Sequence, residues 1–198
     1  MSGDDTQSDI AESVRAALVG HFGDQPSSAS VSFVGVEPIE VLRFRSGDSL
    51  VFVTLGMSRR PMPVPGDDLD VTTTAAGGPR GELMMSVSAR DPASAEVWRR
   101  LAVLAAAPAV EGLRYADGAI VSFGEPLTPG TRLTGVVVGE TDLAISTSGG
   151  PVTVFELHPA MPDELAWARV HGVPALRARW HAQGLDLTDL GRRPVDLR

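Results

Sequence analysis

Hydrophobic positions along the chain alternate between a spacing of three to four residues and a spacing of two. Ile10, Val14, Ala17, Leu18 and Phe22 recur at helical intervals behind the capping pair Asp9-x-x-Glu12, which predicts an amphipathic helix over about 9–22, ending near Gly20 and Gly23. After a turn over 25–30, three Val- and Phe-rich runs, 31–36, 41–45 and 50–54, are separated by Glu-Pro and Ser-Gly-Asp turns and predict a meander of three strands. Pro61, Pro63 and Pro65 each lack an amide donor and push their predecessors toward extended geometry, so 56–80 is expected to be a loop of polyproline character. A loop of that length in a compact domain is uncommon unless it serves a purpose.

Residues 82–88 predict a strand, and Asp91-Pro92 is the cap and first position of a helix whose buried stripe is Val97, Leu101 and Leu104, flanked by Trp98. Pro108 is expected to end it. Further strands are expected at 119–122, 135–138, 143–146 and 152–157. Pro162, Asp163 and Glu164 open a helix that Gly172 closes. A last helix over 173–183 carries Leu176 and Trp180 four residues apart. Strands in runs with helices at both ends and one between make an α+β pattern, not strict strand–helix alternation.

At 198 residues the chain has room for one core, so one domain over 1–198 is expected, with its centre at about 30–183 and a short C-terminal tail. Acidic residues number 25 against 17 Arg and no Lys, a net charge of −8, which disfavours nucleic acid and anionic membrane as main partners. There is no Cys, which excludes disulfides and thiolate metal sites and fits a reducing compartment. The acidic start MSGDDTQSD lacks the basic, then apolar, layout of a secretory signal. The expectation is a cytoplasmic protein.

Candidate chemistry is sparse. His21, His158, His171 and His181 fall singly, without the spacing of a metal pair. Gly56-Met-Ser58-Arg-Arg60 lacks the second Gly of a nucleophile elbow, and Ser58 is expected to bond its own loop. The cluster 77–81 cannot be a phosphate loop without a Lys, and it reads as a turn. Pro61, Pro63 and Pro65 are two apart, not in Pro-x-x-Pro register. Arg59 and Arg60 could latch onto Asp67, Asp68 and Asp70, although solvated charge is the plainer reading. Glu140 and Asp142 fit a hairpin turn. No catalytic residue, metal site or cofactor is assigned. A hydrolase remains only if folding gathers distant groups such as Ser58, His158 and Asp163.

Six segments together carry a resemblance: VTLGMS (53–58), GELMMSV (81–87), the helix around Trp98 with RRLAVLA, VSFGEPL (121–127), TGVVV (134–138) and VTVFELHPAMPDELAWARVHG (152–172). In that order and spacing the chain resembles the Suppressor of Fused-like (SUFU) domain family over roughly 30–183. Leu55, Phe123, Phe155 and Trp167 in these segments suit a sheet and its helix and read as core. The resemblance implies a mixed, largely antiparallel sheet flanked by helices, and a role in binding proteins rather than in catalysis. Animal members of the family hold a peptide by strand addition between two lobes, and bacterial members resemble immunity proteins that neutralise a toxin. The two-lobed clamp is not carried over to 198 residues. Residues 115–122 resemble the peptide-contacting strand of the animal proteins, with Tyr115 in the place of an aromatic contact and Ala119 where an acidic one stands. The expectation is therefore a non-enzymatic immunity protein facing a basic toxin, or an adaptor that takes an extended peptide at a sheet edge. Tyr115, Asp117, Arg59, Arg60 and Met62 are the candidate partner contacts.

Overall fold

The protein is seen in a computed structural model that describes residues 3–23, 25–64 and 78–198. Its elements are α1 (Gly3–Phe22), β1 (Ser27–Phe33), β2 (Val36–Ser46), β3 (Ser49–Leu55), β4 (Arg80–Ser88), α2 (Val97–Glu111), β5 (Ile120–Ser122), β6 (Gly135–Thr147), β7 (Gly150–Ala160), α3 (Pro162–His171) and α4 (Val173–Ala182). The seven strands form one sheet in the order β1-β2-β3-β4-β7-β6-β5. Every neighbouring pair is antiparallel except β4 and β7, which run parallel. The parallel pair requires a crossover, and α2 lies in the chain between those two strands.

Side-chain alternation divides the strands between two faces. On one face Phe52, Leu83, Met85, Val136, Val138, Phe155 and Leu157 pack under the Val97, Leu101 and Leu104 stripe of α2. On the other, Ile10, Val14 and Leu18 of α1 cover Leu42, Phe44, Val53, Val152 and Val154. Farther along that face, Leu165, Leu176 and Trp180 of α3 and α4 cover Val137 and Ala160. The result is α+β, a mixed and largely antiparallel sheet between two helical layers.

Several boundaries depart from the sequence expectation, each for a local reason. The first helix begins at Gly3, so Asp9 and Glu12 lie within it instead of capping it. The turn between β1 and β2 is at Val34-Gly35, not at Glu37-Pro38. Pro38 lies within β2 where the register with β1 shifts between Val31 and Phe33, a bulge at which the missing amide breaks no ladder bond. The strands expected at 135–138 and 143–146 are one strand, β6, whose pairing with β7 shifts between Glu140 and Ala144. Glu140 and Asp142 therefore stand at a bulge, not in a hairpin turn.

Pro108 lies inside α2, which runs on to Glu111 and closes on Gly112. A proline there takes away the amide that would bond the carbonyl of Leu104. The phenol of Tyr115 donates to that carbonyl at 2.7 Å, and this replacement donor lets the helix continue. Within the short C-terminal tail, Leu190 and Val195 are buried in the cores of opposite faces.

Candidate functional site

The segment VTLGMS ends β3 and turns through one short 3-10 helix, Met57–Arg59. Gly56 enters that turn at φ 125, and a Cβ there would come within 2.9 Å of the Arg59 guanidinium and 3.3 Å of the Pro38 carbonyl. The positive φ favours glycine, and a side chain there would also have to displace the Arg59 guanidinium from the Pro38 carbonyl. The Gly56 amide, at 2.9 Å, and the Ser58 amide, at 3.0 Å, both donate to Oε1 of Glu82. The Ser58 hydroxyl donates to the same oxygen at 2.6 Å, and the Thr54 hydroxyl donates to Oε2 at 2.6 Å. The hydroxyl of Ser58 thus reaches across to β4 instead of bonding its own loop.

Glu82 is wholly buried. Burial pushes its carboxyl above the ordinary range, against the pull of the hydroxyls of Ser58 and Thr54 and the two amides. Arg80, two residues earlier, bonds the carbonyls of Ser58 (2.8 Å) and Arg59 (2.7 Å) and that of Gly149 (3.0 Å). Two of the resembling segments, VTLGMS and GELMMSV, are therefore the two halves of one buried carboxylate clamp that shapes the turn.

A second clamp locks the C-terminal segment. Glu164 of α3 and Arg192 are both buried and form a two-point pair at 2.7 and 2.5 Å. The same carboxylate accepts the amides of Met161 (2.9 Å) and Val195 (3.2 Å), while Arg192 also donates to the Pro159 carbonyl at 3.1 Å. Burial opposes the charge on Glu164, but the Arg192 guanidinium and the two amides prevail and hold its carboxyl below the ordinary range.

The open edge of the sheet is different in kind. β5 pairs with β6 through Ile120↔Val137, Val121↔Val136 and Ser122↔Gly135. The flanking bonds Val138 N→Ala119 O and Phe123 N→Thr134 O show that odd-numbered residues face β6. By antiparallel alternation the amides and carbonyls of Ile120 and Ser122 point outward, and among the described residues no backbone group bonds them. Ile120 packs toward α3 and α4, whereas Val121 and Phe123 pack toward α2. At the start of this strand Arg177 of α4 donates to Asp117 at 2.8 Å and to the Val138 carbonyl at 2.7 Å. The guanidinium holds Asp117 below the usual carboxylate range.

Of the candidate contacts, Tyr115 and Met62 lie in the core, side by side, the Met62 sulfur 3.5 Å from the Tyr115 amide. As placed, neither offers surface to a partner: Tyr115 serves α2, and burial raises its phenol far above the ordinary value. Asp117 is exposed at the open edge. Arg59 and Arg60 face Glu37 at 3.7 and 3.6 Å, while Asp67, Asp68 and Asp70 of the expected latch lie outside the described residues. The structure therefore does not bring all five residues together.

Ser58, His158 and Asp163 do not form a constellation. Ser58 is held by Glu82, His158 faces Glu156 at 3.8 Å, and Asp163 is exposed at the start of α3. A cleft of about 340 Å³ between Arg132, Asp163 and Val195 is lined by neither Ser58 nor His158. Among the described residues no group of three or more His, Asp or Glu could hold a metal ion, and no helix is long and apolar enough to cross a membrane.

Sequence reasoning passes over both clamps. An acid inside the apolar run GELMMSV is the available signal for Glu82, since a buried acid needs donors. Arg192 sits in a segment without periodicity and carries no such signal.

Comparison with solved structures finds the SUFU homolog from Neisseria gonorrhoeae at TM-score 0.69 and 16% identity, covering 96% of this chain and 99% of that one. The Sufu–Fu complex matches at 0.69 and 12%, over 93% of this chain and 91% of that one. Drosophila Suppressor of Fused matches at 0.66 and 14%, over 96% of this chain and 51% of that one. At these identities the likeness is one of fold. No curated protein sequence matches. The profile described as Suppressor of fused protein (SUFU) matches residues 35–193, and the chain belongs to that family.

Proposed function

We propose that this protein is a non-enzymatic binding protein that captures a partner by adding one of the partner's strands to the open edge of β5. The observation that carries this reading is the outward-facing backbone of Ile120 and Ser122, unpaired among the described residues, in a short strand supported on both faces. The far edge, β1, is also open, but its Ser27-Ser-Ala-Ser30 start offers few side chains on which a partner strand could pack. One of the similar structures is a complex of Sufu with Fu, which makes protein binding a natural function for the scaffold.

For the partner, we propose a basic toxin that the protein neutralises in the cytoplasm. The net charge of −8 supports it, because an acidic surface speeds the capture of a cationic protein. An adaptor role at the same edge uses the same contacts.

The test is a proline. Ser122→Pro removes an outward amide that β6 does not use, so the fold is expected to stay while strand addition is lost. Wild-type protein should retain the product of a neighbouring reading frame in low salt, and coexpression should protect cells from it. Ser122→Pro should lose both. Equal retention by folded Ser122→Pro would move the site away from β5.

A further inference from the structure

On the face shared by α1, α3 and α4, the polar residues Asp117, Glu156, His158 and Arg177 interrupt two apolar clusters, one under α1 and one under α3 and α4. Gly139 of β6 lies beneath them. A Cβ on Gly139 would stand 3.1 Å from the His158 imidazole Nε2 and 3.3 Å from a terminal nitrogen of Arg177. The absent side chain therefore leaves one small space that imidazole and guanidinium share. That same guanidinium nitrogen is the link between α4 and the start of β5, through Asp117 and the Val138 carbonyl. Its Nε is buried with no partner among the described residues, so the two bonds of the terminal nitrogen are the ones that hold the guanidinium there.

We infer that His158 is a pH-sensitive latch on the binding edge: neutral, it lets Arg177 hold the start of β5, and protonated, it drives Arg177 away and loosens residues 117–122. This rests on the reading of β5 as the capture strand. The charged groups that face His158 are Glu156 from its own strand, Arg177 from α4 and Asp117 from the segment before β5. Burial opposes protonation most, Arg177 adds to that opposition, and Glu156 and Asp117 act against it, leaving the imidazole below its ordinary value of 6.5. A base depressed in the closed form is protonated more readily in the opened one. Closure is therefore fully stable above 6.5 and loses stability as the pH falls toward the closed-state value. The partner would be held at neutral pH and released in acid.

The experiment needs no partner, so its failure is separate from failure of the binding proposal. Amide exchange is measured at pH 8 and pH 5 and expressed as protection factors, which removes the intrinsic pH dependence of exchange. In wild type the β6-facing amides at Val121 and Phe123, with those of the first turns of α4, should lose protection several-fold at pH 5, while the centre of β3 is unchanged. His158→Gln, neutral at both pH values, should keep its protection at pH 5. Arg177→Met should be loose at both. The inference is overturned by a wild type that stays closed at pH 5, by a loss of the same size in His158→Gln, or by a His158→Gln already open at pH 8.

Discussion

Replacing Glu82 with Ala is expected to be among the most damaging single changes in this protein. Two backbone amides, of Gly56 and Ser58, and two hydroxyls, of Thr54 and Ser58, converge on that carboxylate with all solvent excluded. Hydroxyls can turn to other acceptors, but the amides are fixed by the turn. Each buried donor left without an acceptor costs roughly 1–3 kcal/mol, so the loss should be about 4 kcal/mol, a large share of the roughly 5–15 kcal/mol that holds a domain folded. Glu82→Gln keeps one acceptor oxygen and should cost far less. Its pH dependence is a second check. The carboxyl is raised above 4.5 in the folded chain, so its contribution to stability is full below 4.5 and is lost as the pH rises through the folded value. Denaturant titration should therefore show Glu82→Gln gaining on wild type as pH rises over that range.

The second large effect is expected at Arg192. Arg192→Met leaves Glu164 buried with its counter-charge gone, for which roughly 3–5 kcal/mol is the usual penalty. Because Arg192 also bonds the Pro159 carbonyl, and Glu164 also holds the Val195 amide, the C-terminal segment should detach from α3. The double change Glu164→Leu with Arg192→Met removes both charges and should recover only part of the loss, because the Met161 and Val195 amides still lose their acceptor. Here the acid response has the opposite sign. The Glu164 carboxyl is held below 4.5 in the folded chain, so its stabilisation is present above 4.5 and fades as the pH falls through the lower folded value. Unfolding curves for the single and double variants separate the two contributions. A single variant as stable as wild type would mean that the pair contributes no net stability.

The two clamps explain why parts of the fold are legible in the sequence and others are not. Periodicity suffices where one face of an element meets the core, as in the α1 positions Ile10, Val14 and Leu18 or the β7 positions Val152 and Val154. It fails where a local signal is overridden by a distant residue. Pro108 is a stop signal on its own, yet the Tyr115 phenol supplies the donor that the helix needs. Glu140 and Asp142 have turn composition, yet β7 pairs on both sides of them and absorbs the irregularity as a bulge. Ser58 looks like a loop hydroxyl until Glu82 is placed beside it, 24 residues away in sequence. Tyr115 matches a contact position by resemblance, while its burial assigns it to α2. The strand at 119–122 is legible from its own residues, whereas its role as a contact edge comes only from the resemblance, because two half-buried residues and one exposed one do not say which neighbour a strand has.

Amide exchange across residues 115–138, in the free protein and with its captured partner, tests the strand-addition account most directly. Ile120 and Ser122 point outward and should gain protection when the partner binds. Val121 between them already faces β6 and should change little. Protection gained in that alternating pattern is the predicted result. Protection gained along β1 or over the helices, with Ile120 and Ser122 unchanged, would contradict it.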